Sequence, residues 1–226
     1  MNFEVLSLSG LRPFREVHAI QKDLLEKRIR DEVPDTLVFC EHTPVITRGR
    51  GLQAKPGREF RSVPLLYTPP GTDYEEIERG GDLTWHGPGQ LVIYPILKLG
   101  GDGAIGRIIG QDVDRYIRFL ENIWIDLLEE HGLKASTHAH GSGVWLSDRK
   151  LASVGIALRR WVTYHGVAMN IVNDLSPFQA FDPCGFNSEV MTKLQDQPQI
   201  PTAFFDLDWR KRWEEKIIQS LRRKFY

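Results

Sequence analysis

The clearest hydrophobic pattern in the chain is an amphipathic repeat between residues 113 and 128. Apolar side chains recur there at spacings of three and four residues, a period that predicts a helix with one buried face. Asp112 precedes the repeat as a candidate N-terminal cap, and Gly132 follows it as a candidate stop. Weaker repeats of the same period predict a first helix over residues 14–30 and a last helix that carries Trp209 and Leu221.

Apolar residues alternate with polar ones between residues 143 and 172, and alternation with period two predicts strands. Short connections join the alternating runs, so they predict an antiparallel meander. The predicted strands of the chain cover residues 36–40, 44–47, 63–66, 91–97, 144–146, 151–158 and 165–172. Together the patterns predict an α+β fold, a single domain over residues 1–226 whose mixed, largely antiparallel sheet is flanked by helices.

Composition narrows the function classes. The chain has 226 residues, 41% of them hydrophobic, and a formal net charge of −1. It therefore lacks the basic excess of a protein that binds nucleic acid or an anionic membrane. No apolar run reaches the ~20 residues of a membrane span, and the N-terminus does not read as a signal peptide. With only two cysteines, we expect a cytoplasmic protein with free thiols and no disulfide framework.

Residues 79–90 form the densest cluster of unusual residues, Arg-Gly-Gly-Asp-Leu-Thr-Trp-His-Gly-Pro-Gly-Gln, directly before a predicted strand. Glycines let a backbone pass close to another group because they lack a Cβ, and loops beside buried strands often carry binding residues. A phosphate, an acyl chain and a tight turn would each account for glycine here. The run alone leaves its ligand open.

Two further patterns indicate sites that we do not expect to exist. Residues 101–106 match the spacing G-x-G-x-x-G, but the predicted helix begins several residues later and the acidic residue expected downstream falls inside it, near Asp126. A flexible connection is favoured over a dinucleotide site. His86, His138 and His140, with Cys184, could ligate a metal, yet their spacing does not demand the three or four ligands needed. We expect neither a metal nor a cofactor.

The two cysteines differ in context. Cys40 ends an apolar run and is typical of a small core residue, whereas Cys184 stands between Pro183 and Gly185. A rigid turn of that kind suits a nucleophile and a half-buried loop cysteine equally well. A catalytic cysteine needs a cation or base beside it. Lys150 is a candidate, although its spacing is more typical of a hairpin lysine.

Small residues mark two of the predicted strands. Ser153 and Gly155 stand on one, and Gly166 and Ala168 on the other, directly after His165. Small side chains leave room for a ligand or for another backbone. His165 itself could be a base, an orienting group or a buried polar residue.

Four motifs together resemble those of the octanoyltransferases of lipoate biosynthesis, also called lipoyl(octanoyl) transferases or the lipoate-protein ligase B family. The resemblance covers about residues 41–184 and implies a fold like the catalytic domain of biotin and lipoate protein ligases. The motifs are Arg79-Gly80-Gly81-x-x-Thr84-x-His86-Gly87-Pro88-Gly89-Gln90, Lys150-x-Ala152-Ser153-x-Gly155, His165-Gly166-x-Ala168-x-Asn170 and Pro183-Cys184-Gly185.

The resemblance implies a two-step acyl transfer without a cofactor. Octanoate passes from octanoyl-acyl carrier protein to Cys184 as a thioester, with Lys150 as the activating residue. It then passes to the ε-amine of a lysine on the lipoyl domains of 2-oxoacid dehydrogenase complexes or on the glycine cleavage H protein. The implied substrate-binding residues are Arg79, Gly80, Gly81, Asp82, Leu83, Thr84, Trp85, His86, Ser153, Val154, Gly155, Gly166, Val167 and Ala168.

Two rival functions are compatible with the same motifs. An ATP-dependent lipoate or biotin ligase on this fold would activate a free acid as its adenylate and would need no acyl-enzyme cysteine. A non-catalytic protein that binds acyl groups or lipoyl domains would keep the pocket and tolerate the loss of Cys184.

Overall fold

A computed structural model of the chain describes residues 3–50, 64–101, 103–138, 141–181 and 188–225. The predicted nucleophile Cys184, with Pro183 and Gly185, lies outside the described residues, as does His140. The strands are β1 Phe3–Arg12, β2 Asp35–His42, β3 Val45–Arg48, β4 Asp73–Glu76, β5 Leu83–His86, β6 Gln90–Ile96, β7 Ala135–His138, β8 Gly141–Leu146, β9 Arg149–Arg159 and β10 Val162–Asn170. The helices are α1 Phe14–Ile29, α2 Ala104–Ile109, α3 Val113–Glu129 and α4 Trp209–Phe225.

A seven-stranded sheet in the order β1-β2-β6-β10-β9-β8-β7 forms the centre of the described structure. Among the described strands of this sheet, β1 and β2 form the only parallel pair, and the other neighbours run antiparallel. A three-stranded sheet in the order β4-β3-β5 stands beside it, and its strand β5 carries residues 83–86 of the glycine-rich run. The predicted α+β fold, with a mixed and largely antiparallel sheet, is confirmed.

Helices cover both faces of the large sheet. On one face α3 and α4 pack against it, with Trp124 and Trp213 in contact at a centroid distance of 6.4 Å. On the other face α1 contributes Val17 and Leu25 to a second core, which also contains Ala168 of β10. The strands between the two cores are therefore buried on both sides, which explains their nearly continuous apolar sequences.

The predicted helices and the meander are confirmed. Helix α3 begins after Asp112, whose carboxylate accepts a hydrogen bond from the backbone N–H of Arg115 at 2.9 Å. The chain leaves the same helix at Gly132, where φ is +75°. Cys40 is fully buried in the second core, and burial raises the pKa of its thiol. The prediction that Cys40 is a small core residue is confirmed.

The structure corrects two predictions. Residues 64–66 form no strand. Pro64 has no N–H to donate, and the N–H of Leu66 donates a hydrogen bond to the carbonyl oxygen of Ala180 at 2.8 Å. Val63 lies outside the described residues. The segment predicted as a flexible connection contains α2, whose Ile105 and Ile109 are buried in the main core.

Gly106 explains the glycine pattern of that segment. A Cβ on Gly106 would stand 2.1 Å from the carbonyl oxygen of Lys98. Glycine is therefore needed for close packing of α2, and no phosphate has to be invoked. No helix among the described residues is both long enough and apolar enough to cross a membrane.

Candidate active site

The glycine-rich run does not remain a loop throughout, because residues 83–86 form strand β5. This strand pairs antiparallel with β3, so that Leu83 faces Arg48 and His86 faces Val45. The turn before β5 is held by an ion pair of 2.8 Å between Arg48 and Asp82. It passes through Gly81 at a φ of +80°, a conformation that favours glycine.

Arg79 anchors the start of the run and is almost completely buried. Its guanidinium donates to the carbonyl oxygen of Thr47 at 2.6 Å and to the hydroxyl of the same residue at 2.9 Å. Its aliphatic stem lies across Gly155 of β9, where a Cβ would come within 3.0 Å of the Arg79 Cδ. The N–H of Gly80 also donates to the carbonyl of Ile156 at 2.8 Å. Arg79 therefore occupies the space that Gly155 leaves free.

The two strands of small residues lie side by side. In the antiparallel pair of β9 and β10, Gly155 faces Gly166, and Ser153 faces Ala168. Residues 153–155 are half-exposed although their strand lies inside the sheet. The structure thus brings three of the predicted pocket segments together, around a surface that is open at the middle of β9.

Not every predicted pocket residue turns its side chain to this surface. Val167 belongs to the main core under α3 and α4, and Val154 packs against the same core. Because side chains alternate along a strand, these two residues lie toward the face opposite Arg79. Gly166 is closed off by β6, since a Cβ there would meet the carbonyl oxygen of Ile93 at 2.2 Å.

Lys150 is fully buried, unlike the solvated hairpin lysine that its spacing favours. Its ammonium lies 5.5 Å from the centroid of the Trp145 ring, within the range of a cation–π contact. Its stem passes Gly143, where a Cβ would stand 2.8 Å from the Lys150 Cε. The N–H of Gly143 donates to the Glu121 carboxylate at 2.7 Å. Burial raises the pKa of Glu121, against the opposing effects of that N–H, of Arg118 and of Lys150.

The described ends of the Cys184 segment are attached at this site. On the N-terminal side, Phe181 is buried in one cluster with Trp85 and Met191. On the C-terminal side, Met191 forms a β-bridge with Lys150, and the N–H of Thr192 donates to the Lys150 carbonyl at 2.9 Å. The chain therefore enters and leaves residues 182–187 beside the glycine-rich run and beside Lys150.

A buried hydrogen-bond network connects the glycine-rich run to the chain that follows the Cys184 segment. The amide of Gln90 donates to the Asn170 side-chain oxygen at 2.9 Å, and the Asn170 amide donates to the carbonyl of Thr192 at 3.0 Å. The Gln90 oxygen lies 2.8 Å from His86 Nδ1, which therefore carries the proton. Thr192 lies outside every motif, so the sequence pattern gave no signal for it.

Two buried histidines stand beside the network. His42 Nδ1 donates to the carbonyl of Arg12 at 3.1 Å, and its Nε2 accepts from the Tyr94 hydroxyl at 2.8 Å. The rings of His42 and His86 lie 5.7 Å apart. Burial lowers the pKa of His42 to about 4. Burial, followed by the neighbouring His42, lowers the pKa of His86 well below its ordinary value.

Lowering the pH from 7 to 5 is expected to reduce the free energy of unfolding by about 2 kcal/mol through His42. This histidine titrates near pH 6.5 when unfolded and near pH 4 when folded, so the unfolded chain takes up the proton first as the pH falls. His86 and His165, whose pKa values burial also lowers, add to the loss. Urea unfolding at both pH values measures it. A His42→Gln variant should lose about 2 kcal/mol less than the parent; the same pH dependence in variant and parent would contradict the assignment.

The histidines that the sequence offered as metal ligands are engaged in other contacts. His86 is bound to Gln90, and His138 stacks on the Trp145 ring at a centroid distance of 4.4 Å. Within the described ranges, neither belongs to a group of three side chains that could hold an ion.

Comparison with known proteins identifies the family to which the chain is similar. Residues 13–207 match the family described as the lipoyl protein ligase A/B catalytic domain. The chain is 44% identical to an octanoyltransferase of Geobacter sulfurreducens over 84% of its own length and 74% of that protein. It is 36% identical to an octanoyltransferase of Bdellovibrio bacteriovorus, over 94% of its own length and 96% of that protein.

Solved structures show the same fold at lower identity. A lipoate-protein ligase A bound with ATP has a TM-score of 0.66 and 16% identity, over 97% of this chain and 84% of that one. A bipartite lipoate protein ligase of Thermoplasma acidophilum, studied with its E2 lipoyl domain, has a TM-score of 0.61 at 16% identity, over 97% of this chain and 82% of that one.

Proposed function

Since the chain belongs to the lipoyl protein ligase A/B catalytic domain family, we propose that it carries octanoate from octanoyl-acyl carrier protein to a lysine of a lipoyl domain, through a thioester on Cys184. Its octanoyltransferase relatives are 36–44% identical, and the chain is an acyltransferase of this kind, acting in lipoate biosynthesis. The acyl carrier as donor, the thioester intermediate and the roles of the individual residues are the proposed parts of this function.

The observation that carries the proposal is the buried Lys150 with its bridge to Met191. Lysine is rarely fully buried, and active sites are among the places where charged groups are held away from water, which points to a function for the ammonium. The chain that returns from the Cys184 segment pairs with this lysine at Met191 and Thr192. This pairing supports a Cys184–Lys150 couple, because a cation beside a thiol favours the thiolate.

In the first step, the Cys184 thiolate attacks the thioester carbonyl of the octanoyl carrier. A bond forms between the Cys184 sulfur and the acyl carbon, and the bond to the carrier sulfur breaks. The carrier thiolate leaves and takes a proton from the Lys150 ammonium. Lys150 remains as a free amine, ready for the second step.

In the second step, the ε-amine of the target lysine attacks the Cys184 thioester. An amide bond forms, and Cys184 leaves as the thiolate. The neutral amine of Lys150 accepts the proton that the attacking amine loses, so thiolate and ammonium are both restored. The proton given up in the first step is thus recovered in the second, and no cofactor is consumed.

The half-exposed surface at Ser153, beside the Arg79 stem that fills the space at Gly155, is the place we propose for the octanoyl chain. Burial of the chain contributes about 0.8 kcal/mol for each CH₂ group. On the opposite face of the sheet, an apolar cavity lined by Leu37, Ile93 and Val167 has a volume of about 20 Å³. That volume holds about one water molecule, so the cavity is too small for eight carbons.

We propose the lipoyl domains of 2-oxoacid dehydrogenase complexes and the glycine cleavage H protein as acceptors. The structural relative from Thermoplasma acidophilum was studied with its E2 lipoyl domain, which supports an acceptor of this class.

A donor comparison separates this function from that of an ATP-dependent ligase. The protein is mixed with a lipoyl domain and given either octanoyl-acyl carrier protein or octanoate with ATP and Mg²⁺. Mass spectrometry of the lipoyl domain measures the transfer. We expect transfer from the carrier alone, without ATP. Transfer that requires ATP and free acid would show the ligase reaction instead.

A further inference from the structure

Three side chains that no motif joins meet on the α1 side of the large sheet. His18 stands on α1, Glu78 directly precedes Arg79, and His165 stands on β10. The Glu78 Oε2 lies 3.3 Å from His18 Nε2 and 3.9 Å from His165 Nε2. All three atoms lie within 4.8 Å of one another, and they form the group of metal-ligating side chains that the described residues contain.

Of the three converging atoms, His165 Nε2 is buried without a hydrogen-bond partner, and His18 Nε2 and Glu78 Oε2 have only their long contact of 3.3 Å with each other. Buried polar atoms of native proteins are nearly always hydrogen-bonded, so each exception needs an explanation. The side chain of His165 is only 2% exposed, and its Nε2 is aimed at the Glu78 carboxylate. An unpartnered imidazole nitrogen that faces the same carboxylate oxygen as a second imidazole indicates that a ligand belongs there.

The donor set fits a divalent zinc ion. Two imidazole nitrogens and one carboxylate oxygen are zinc ligands, and bonds of about 2.0–2.1 Å in a tetrahedral site place the ligand atoms about 3.3–3.4 Å apart. The pair of His18 and Glu78 already has this separation. The second oxygen of Glu78 accepts a hydrogen bond from Lys22 at 2.8 Å, the kind of outer contact that orients a ligating carboxylate.

An ion could reach this point and would keep an open coordination position. The side chains of His18 and Glu78 are 16% and 25% exposed, so the cluster lies below the surface but is not sealed. Three protein ligands leave the fourth tetrahedral position for water.

We propose that His18, Glu78 and His165 form a zinc site that fastens α1 and β10 to the start of the glycine-rich run. The site is separate from the acyl-transfer chemistry, and it does not rest on the function proposed above. Because Glu78 precedes Arg79, zinc would hold in place the residue whose stem crosses Gly155.

The test is a metal titration of the tag-free full-length protein after treatment with a chelator. We expect one Zn²⁺ per chain in competition with a chromophoric chelator, and a tetrahedral absorption spectrum with Co²⁺. A 100-fold excess of free Zn²⁺ over Kd should raise Tm by roughly 5–10 °C. No binding, or a Co²⁺ spectrum of an octahedral oxygen site, would overturn the proposal.

Variants locate the bound ion. His18→Gln and Glu78→Gln should each lower the affinity by roughly 100-fold or more, since loss of a ligand exceeds the 10–100-fold effect of outer-shell residues. Lys22→Gln is the matched control, because it removes a partner of Glu78 and keeps all three ligands. It should still bind one ion.

Equal affinity in His18→Gln, Glu78→Gln and the parent would place any bound zinc elsewhere and overturn the assignment. Circular dichroism checks that each variant is folded. The Co²⁺ spectrum of the parent tests the site even if a variant fails to fold. The titration contains no acyl substrate, so its failure would leave the proposed octanoyl transfer untouched.

Discussion

Replacement of Lys150 by methionine is expected to lower kcat/KM for octanoyl transfer by roughly 10²–10⁴-fold, the range that a positioned proton-transfer group contributes. The methionine keeps the length and apolar stem of the buried side chain while it removes the ammonium. Without that charge, the thiolate of Cys184 is less favoured, and the proton of the attacking amine has no acceptor. Steady-state transfer to a lipoyl domain measures the loss.

Alkylation of Cys184 distinguishes this role from a structural one. The rate of reaction with iodoacetamide, measured against pH, should fall at neutral pH in Lys150→Met and rise only at higher pH. Urea unfolding checks that the variant stays folded, since the ammonium also interacts with the Trp145 ring and with Glu121. Lys134→Met at an exposed position is the control. An alkylation profile in Lys150→Met that coincides with that of the parent would contradict the pairing.

Replacement of Gly166 by alanine is expected to lower the free energy of unfolding by about 3 kcal/mol, the upper range for overpacking. The new Cβ would stand 2.2 Å from the carbonyl oxygen of Ile93 and 2.7 Å from the Cδ of Pro95. Both belong to the neighbouring strand β6, which cannot withdraw without breaking its pairing with β10. Urea unfolding with an unchanged m-value would measure the loss.

Gly155→Ala is the matched control in the facing strand. Its Cβ would meet the Arg79 stem at 3.0 Å and the carbonyl oxygen of Gly80 at 3.2 Å, contacts that are looser than the backbone clash at Gly166. We expect a stability cost of about 1 kcal/mol. The rate of octanoyl transfer should fall by more than this loss of stability would explain, because the Arg79 guanidinium must move away from its hydrogen bonds to Thr47. Equal stability of the two variants would contradict the distinction between the two glycines.

The parts of the fold that were predictable are those with a strong local period. Helix α3 shows its buried face, its Asp112 cap and its Gly132 stop directly in the sequence. Strand β1 was missed because it lies at the edge of the sheet and leaves most of its residues exposed, so its apolar positions do not alternate clearly. Helix α2 was missed because Gly106 is a poor helix residue, and only the tertiary contact with Lys98 explains it.

The sequence motifs give a set of candidate site residues but not their arrangement. The motifs named Arg79, Ser153, Gly155 and Gly166, yet only the folded chain shows that the Arg79 stem fills the space at Gly155. The burial of Lys150 also depends on Gly143, which stands in another strand and in no motif. His18, Glu78 and His165 are far apart in sequence, so no spacing could have joined them.

The central claim is that octanoate passes through Cys184, and the intact mass of the protein tests it most directly. After mixing with octanoyl-acyl carrier protein, the parent should gain one octanoyl group, and addition of a lipoyl domain should remove it. Cys184→Ala should gain none and transfer none. An octanoyl adduct that persists in Cys184→Ala, or full transfer by that variant, would contradict the account.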